Sequence, residues 1–146
     1  MKILVLSDSH SVKLKIDFSS YDKIIHCGDY GVSKEELMRN DVLYVKGNCD
    51  SFGPDFRVET LFSRKVFITH GHRENVKFTM NSLYYRALEN GCSVCMFGHT
   101  HQQTCFLQDG LLFINPGSYP DSYIEIRDEE ITLHYEGETK IIQYRW

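Results

Sequence analysis

At 146 residues, with 42% hydrophobic and 25% charged side chains, the chain has the length and composition of one globular domain, which excludes disordered and fibrous classes. Its formal charge of −4 argues against a nucleic-acid face that works by bulk electrostatics, so no stable nucleic-acid partner is expected. No apolar run approaches membrane-spanning length, and the opening run meets a charge too soon for a signal peptide, so cytoplasmic residence without membrane association is expected.

Residues 2–7 form a continuous aliphatic run, the pattern of a strand buried on both faces of a parallel sheet, and deliver Asp8 and His10 at its C-terminal end. Residues 11–23 are the crossover to the next apolar run, 23–27; a connection this short leaves room for only a short helix. That second run ends in Gly28-Asp29, again a carboxylate at a strand end. Ser33-Lys34-Glu35-Glu36 reads as a capping box, with Ser33 accepting from the backbone and Glu36 reaching back, and opens a helix to about Arg39. Residues 41–45 form a third strand, ending in the turn-forming cluster Lys46-Gly47-Asn48-Cys49-Asp50. Three strands joined by two crossovers thus present polar residues at one edge, where open α/β sheets bind ligands.

Residues 56–61 and 65–69 predict a hairpin around Phe62-Ser63-Arg64, the second strand running into His70-Gly71-His72. Asn75 is the expected cap of a helix whose stripe is Met80, Leu83, Tyr84, Ala87 and Leu88, with Gly91 as its stop. Residues 94–97 are another buried strand, and a turn at Gly98 lets His99 and His101, on alternate residues, point into one cleft. A hairpin follows, 103–107 and 111–115 joined through Asp109-Gly110, then the tight turn Asn115-Pro116-Gly117-Ser118. Residues 122–127, 131–135 and 140–144 alternate as an antiparallel sheet. The architecture that follows is α/β: two packed sheets with helices outside and the polar loops collected at one edge.

The five cysteines, Cys27, Cys49, Cys92, Cys95 and Cys105, lack the spacing of a secreted disulfide framework and read as reduced thiols. Cys92-x-x-Cys95 has no second pair at zinc-finger spacing and leads into an apolar run, so it reads as structural. The chemistry lies elsewhere. Asp8, His10, Asp29, Asn48, His70, His99 and His101 are oxygen and nitrogen donors, the set that suits Mn, Fe, Ni or Zn. Seven donors exceed one tetrahedral ion. They suit two divalent ions sharing a carboxylate, roughly 3.5–4 Å apart, which clamp the attacking and leaving oxygens of a phosphoryl displacement. Two dications outweigh the carboxylates of Asp8 and Asp29, so an anionic phosphate is drawn to the site despite the acidic chain.

In this order, Asp8-x-His10, Gly28-Asp29, Gly47-Asn48, His70-Gly71 and Gly98-His99-x-His101 resemble the five-motif signature of the calcineurin-like metallophosphoesterase superfamily, over residues 2 to about 118. Asn48-Cys49-Asp50, Thr69-His70-Gly71-His72 and Asn115-Pro116-Gly117-Ser118 resemble its small YfcE-type phosphodiesterases in particular. The resemblance implies residues 1–146 as a single metallophosphoesterase domain, with two mixed β-sheets packed in an αββα sandwich. It implies two divalent ions, Mn foremost. One would be held by Asp8, His10, Asp29 and His101, the other by Asp29, Asn48, His70 and His99, with Asp29 bridging and a hydroxide between the ions attacking phosphorus.

The implied activity is hydrolysis of a small phosphodiester. A phosphomonoesterase on the same site, or a non-catalytic scaffold of the retromer-subunit type, are the alternatives, and homo-oligomerisation is left open. One departure stands out: many members carry His where this chain has Cys49, and that His is thought to protonate the leaving group. A thiol protonates poorly, so slow turnover on alkyl leaving groups is expected. His72 is expected to support the site from behind, Cys49 to be inert, His26 and His134 to be structural, and Lys46 and Arg73 to be solvated.

Overall fold

The structure is a computed structural model and describes residues 1–146. Eleven strands form two sheets. In chain order they are β1 (Ile3–Leu6), β2 (Lys23–His26), β3 (Val42–Tyr44), β4 (Phe56–Leu61), β5 (Arg64–Thr69), β6 (Val94–Met96), β7 (Thr104–Gln108), β8 (Leu111–Asn115), β9 (Ser122–Arg127), β10 (Glu130–Tyr135) and β11 (Glu138–Gln143). The helices are α1 (Lys34–Arg39) and α2 (Asn81–Glu89), and the first crossover contains a single 3-10 turn, Phe18–Ser20. The first sheet runs β11-β10-β9-β1-β2-β3 and the second β4-β5-β6-β8-β7.

The first sheet has a parallel half and an antiparallel half, and the second a parallel centre with antiparallel edges. In the first, β1, β2 and β3 pair in parallel through two crossovers, while β9 pairs antiparallel with β1. In the second, β5, β6 and β8 are parallel, with β4 and β7 antiparallel at the edges. The tail therefore extends the first parallel sheet as a mixed sheet. The expected pair of mixed sheets flanked by helices is what the chain forms.

Alternation explains why the aliphatic runs are unbroken. Ile3 and Val5 point into a core between the sheets with Ile25, Val45, Ile68, Met96, Ile114 and Ile124. Leu4 and Leu6 point outward, beneath α1, into a second cluster with Leu37, Tyr30 and Tyr44. On the other sheet, Phe67, Cys95 and Phe113 face outward against Leu83 and Ala87 of α2. Both faces of the central strands are dry, so both sets of positions must be apolar.

Three local expectations are corrected. Asn75 does not cap α2: its φ is +55°, and the helix begins at Asn81, whose N–H is taken by Thr79 Oγ1. Residues 72–78 form turns instead, and Leu88 of the expected stripe is exposed. Arg64 belongs to β5, leaving Phe62 and Ser63, both at positive φ, as the two-residue turn with a twist that suits a hairpin. At α1 the Ser33 side chain accepts from the Glu36 N–H, the one half of the capping box that forms a side-chain bond at the N-cap.

Candidate metal centre

The seven expected donors all leave C-terminal ends of parallel strands: Asp8 and His10 follow β1, Asp29 follows β2, Asn48 follows β3, His70 follows β5, and His99 and His101 follow β6. The two sheets thus bring five strand ends together. The backbone there is unusual. Asp8, His10, Asp29, His99 and His101 have φ of 53°, 49°, 57°, 70° and 61°, the left-handed region that costs an L-residue about 1 kcal/mol or more each. Ordinary turn residues would relax; that five donors hold this conformation marks a place where side-chain direction is fixed.

Close approach is the second local requirement. A Cβ on Gly98 would fall within 2.7 Å of Asp8 Oδ2, and one on Gly47 would collide with the Asp29 carboxylate. Glycine at these positions lets the loops after β3 and β6 sit directly on the carboxylates.

At the centre, His70 Nε2 lies 3.1 Å from Asn48 Oδ1, 3.2 Å from Asp29 Oδ2 and 3.8 Å from Asp8 Oδ1. Its other nitrogen, Nδ1, is 2.7 Å from the Cys27 carbonyl, which can only accept, so Nδ1 carries a proton. Nε2 then faces three oxygens with a lone pair unless a second proton or a metal ion fills the gap. Beside it, His101 Nε2 is 3.2 Å from Asp8 Oδ1, and the His10 and His101 rings meet edge-on at 5.6 Å. Donor atoms cluster within 4.8 Å in three groups that share members: Asp8 with His10 and His101, Asp8 with Asp29 and His70, and His10 with Asp29 and Cys49. His99 joins none of these groups; its ring lies 5.0 Å from that of His70.

These residues fit a divalent ion on two observations. Asp8 Oδ1 is buried without a hydrogen-bond partner, although its twin Oδ2 accepts from Ser7 Oγ at 2.6 Å and from the His99 N–H at 3.1 Å. Such an orphan anion costs several kcal/mol unless a cation meets it. The donors are carboxylate, amide oxygen and imidazole, which match borderline divalent ions. Burial works to lower His70, yet its bond to Asp29 and the charges of Asp8 and Asp29 prevail and raise it above the ordinary imidazole value. Burial opposes ionisation of Asp29, but the His70 bond and the Cys49 N–H outweigh it and hold that carboxyl well below the usual range. Burial and then the His70 charge push His99 down to about 4, so it is a neutral imidazole.

Asp50, Ser118 and Asn115, quoted in the sequence only as parts of motifs and given no role there, support the donors. Asp50 accepts from the N–H groups of Asp29 at 2.7 Å, Gly47 at 2.8 Å and Tyr30 at 3.2 Å, tying two donor loops together. Its signal was only a carboxylate two residues after Asn48. Ser118 Oγ donates to the Asp8 carbonyl at 2.9 Å, and Asn115 Nδ2 donates to the Gly98 carbonyl and to Thr100 Oγ1, at 3.2 and 2.9 Å. His26, expected to be structural, is buried under the first loop: its Nδ1 accepts from the Gly28 N–H, leaving Nε2 to bond Ser9 Oγ at 2.8 Å. His134 bonds Glu125 at 2.7 Å and stacks on Tyr123, away from the site. His72 places its ring 5.4 Å from that of His70, with Nδ1 buried and unpartnered, and Arg73 is an exposed partner of Asp55.

A family model described as the calcineurin-like phosphoesterase superfamily domain matches residues 1–136. The probable metallophosphoesterase YsnB of Bacillus subtilis is 39% identical over 127 residues, covering 81% of this chain and 75% of YsnB. Phosphodiesterase MJ0936 of Methanocaldococcus jannaschii is 29% identical over 145 residues, covering 80% of this chain and 83% of its own. The crystal structure of a predicted phosphoesterase from Streptococcus pneumoniae superposes with a TM-score of 0.79 at 27% identity, over 98% of this chain and 97% of that one.

Proposed function

The chain belongs to the calcineurin-like phosphoesterase superfamily, and from that premise we propose that it is a dinuclear metal-dependent phosphodiesterase acting on a small diester. The observation that carries the reading is the convergence of Asp8 Oδ1, Asp29 Oδ2 and Asn48 Oδ1 on His70 Nε2, with Asp8 Oδ1 buried and unpartnered. Asp8, His10, Asp29 and His101 would hold one ion, and Asp29, Asn48, His70 and His99 the other, with residues 1–146 acting as one domain. Bound there, divalent ions supply Lewis acidity, lowering the pKa of water and offsetting charge on the phosphoryl oxygens.

The chain's own residues do the positioning. The Cys27 carbonyl fixes the His70 tautomer so that Nε2 faces the cleft. Ser7 Oγ and the His99 N–H hold Asp8 Oδ2, which turns Oδ1 inward. The Cys49 N–H holds Asp29 Oδ1 at 2.8 Å and turns Oδ2 toward His70. The burial of Asp8, Asp29 and His70 excludes water from one side of the reacting group. At the mouth stands the exposed thiol of Cys49, raised above its ordinary pKa by the Asp29 charge, so it donates a proton weakly. Diesters with leaving groups that need no proton are therefore the favoured substrates.

The name of the archaeal relative supports the diester over the monoester. A full set of seven donors argues against the scaffold alternative. The test is hydrolysis of an aryl phosphodiester and its monoester by chelator-stripped protein reloaded with Mn, beside His99→Ala. Metal-dependent diester cleavage, lost in the variant, is expected; no turnover with any divalent ion despite bound metal would overturn the proposal.

A further inference from the structure

We propose that Cys49 Sγ is an additional donor to the ion held by His10 and Asp29, so that this half of the centre takes a thiophilic divalent ion. The inference rests on the metal-centre reading above and deepens it. Donor atoms of His10, Asp29 and Cys49 lie within 4.8 Å of one another, as do those of the two neighbouring groups of acidic and imidazole donors. A second observation points to a ligand in the space that adjoins this group and shares His10 with it. Asp8 Oδ1, buried and unpartnered, lies in the adjoining group that contains the same His10.

Local structure fixes where the sulfur points. The Cys49 N–H is taken by Asp29 Oδ1 at 2.8 Å, which seats the residue on the carboxylate. Asn48 Nδ2 lies 3.7 Å from Sγ and donates to it, while Oδ1 of the same amide faces His70 Nε2. One amide plane thus aims an oxygen at one half of the centre and supports a sulfur acceptor at the other. Ion binding exchanges the S–H bond for a sulfur–metal bond; the proton leaves to solvent and no electron is transferred.

The consequence is a change in metal preference. Carboxylates and imidazoles alone accept Mn readily, whereas a thiolate shifts the balance toward Zn, Co or Cd. Replacing Cys49 by Ser is expected to weaken Cd binding by at least the roughly tenfold that losing a supporting partner costs, with little change for Mn.

The decisive experiment is a Co(II) titration of the chelator-stripped full chain, followed by absorption. A near-ultraviolet thiolate-to-cobalt charge-transfer band is expected beside the visible d–d bands, and Cys49→Ser is expected to remove the first and keep the second. Visible bands without the charge-transfer band, or a band unchanged in Cys49→Ser, overturn the thiolate donor and leave the metal centre standing. The absence of visible bands at every cobalt concentration overturns both. In the unaltered protein, zinc is expected to slow alkylation of Cys49 by iodoacetamide by a factor of 1 + [Zn]/Kd, about tenfold at ten times Kd. An equal rate with and without zinc overturns the proposal.

Discussion

Nε2 of His70 stands 3.2 Å from Oδ2 of Asp29 with both side chains buried, although Nδ1 of the same ring is committed to the Cys27 carbonyl. With Nδ1 already a donor, Nε2 can meet the carboxylate only through a second proton, which the raised His70 pKa reflects, or through a metal ion that takes that proton's place. Asp29→Asn keeps the shape and removes the charge. It is expected to lower metal affinity by more than roughly 10–100-fold, the cost of losing a mere supporting partner. Metal content after dialysis at fixed free ion measures it, and a fully loaded variant would show that Asp29 is not a donor.

His26 predicts an acid-sensitive fold. Burial, and then the charge of His70, push it from 6.5 down to about 3 in the native state. Between those values the unfolded chain binds the proton and the folded one does not. The stability that neutral His26 contributes is therefore fully present above pH 6.5 and falls as pH drops toward 3, by at most about 1.4 kcal/mol per unit. Urea midpoints of chelator-stripped protein from pH 7 to 4 should show this slope. His26→Gln, which cannot titrate, should be less stable at pH 7 and flatter below it. An unchanged slope would assign the effect to other groups.

Behind the His70 loop, Arg86 pairs with Glu74, whose carboxylate is buried and also accepts from Thr69 Oγ1 at 3.2 Å. Arg86 lies over the Phe56 and Phe67 rings at 5.0 and 5.3 Å, so it both packs and neutralises. Arg86→Met strands the carboxylate. It is expected to cost toward the low end of roughly 3–5 kcal/mol, because the arginine is partly solvated. The double variant Arg86→Met/Glu74→Gln should recover part of the loss in chemical denaturation; no recovery would mean that packing rather than charge is what the arginine supplies.

Leaving-group dependence tests the thiol at the mouth. With Cys49 in place, the rate on diesters is expected to fall steeply as leaving-group pKa rises from phenols to alcohols. Cys49→His introduces a proton donor near neutral pH and is expected to raise alkyl-ester turnover, up to the 10²–10⁴-fold range of general acid catalysis, while barely changing aryl esters. A rate already independent of leaving-group pKa in the native protein would rule this out.

Much of the fold was legible because burial on both faces writes itself as unbroken aliphatic runs, as in Ile3–Leu6, and because Asp109-Gly110 names the turn that joins β7 to β8. The start of α2 was not legible. The Asn75 cap signal is genuine as a local propensity, but residues 72–78 are recruited to carry Glu74 to Arg86, and the chain turns there instead.

By itself the sequence determined which side chains are available and at which strand ends: an Asp, His or Asn recurs where an apolar run stops, and a parallel strand must stop at the same edge as its neighbours. The tertiary structure alone decided that the two sets of strand ends face each other. It also decided that Ser118 reaches Asp8 across 110 residues, that Asp50 gathers three N–H groups from two loops, and that Cys49 lies beside His10 and Asp29. The reason is range. Periodicity and turn chemistry act over a few neighbouring residues, whereas the antiparallel joining of β9 to β1 and the packing of two sheets depend on surfaces that exist only after the strands have formed.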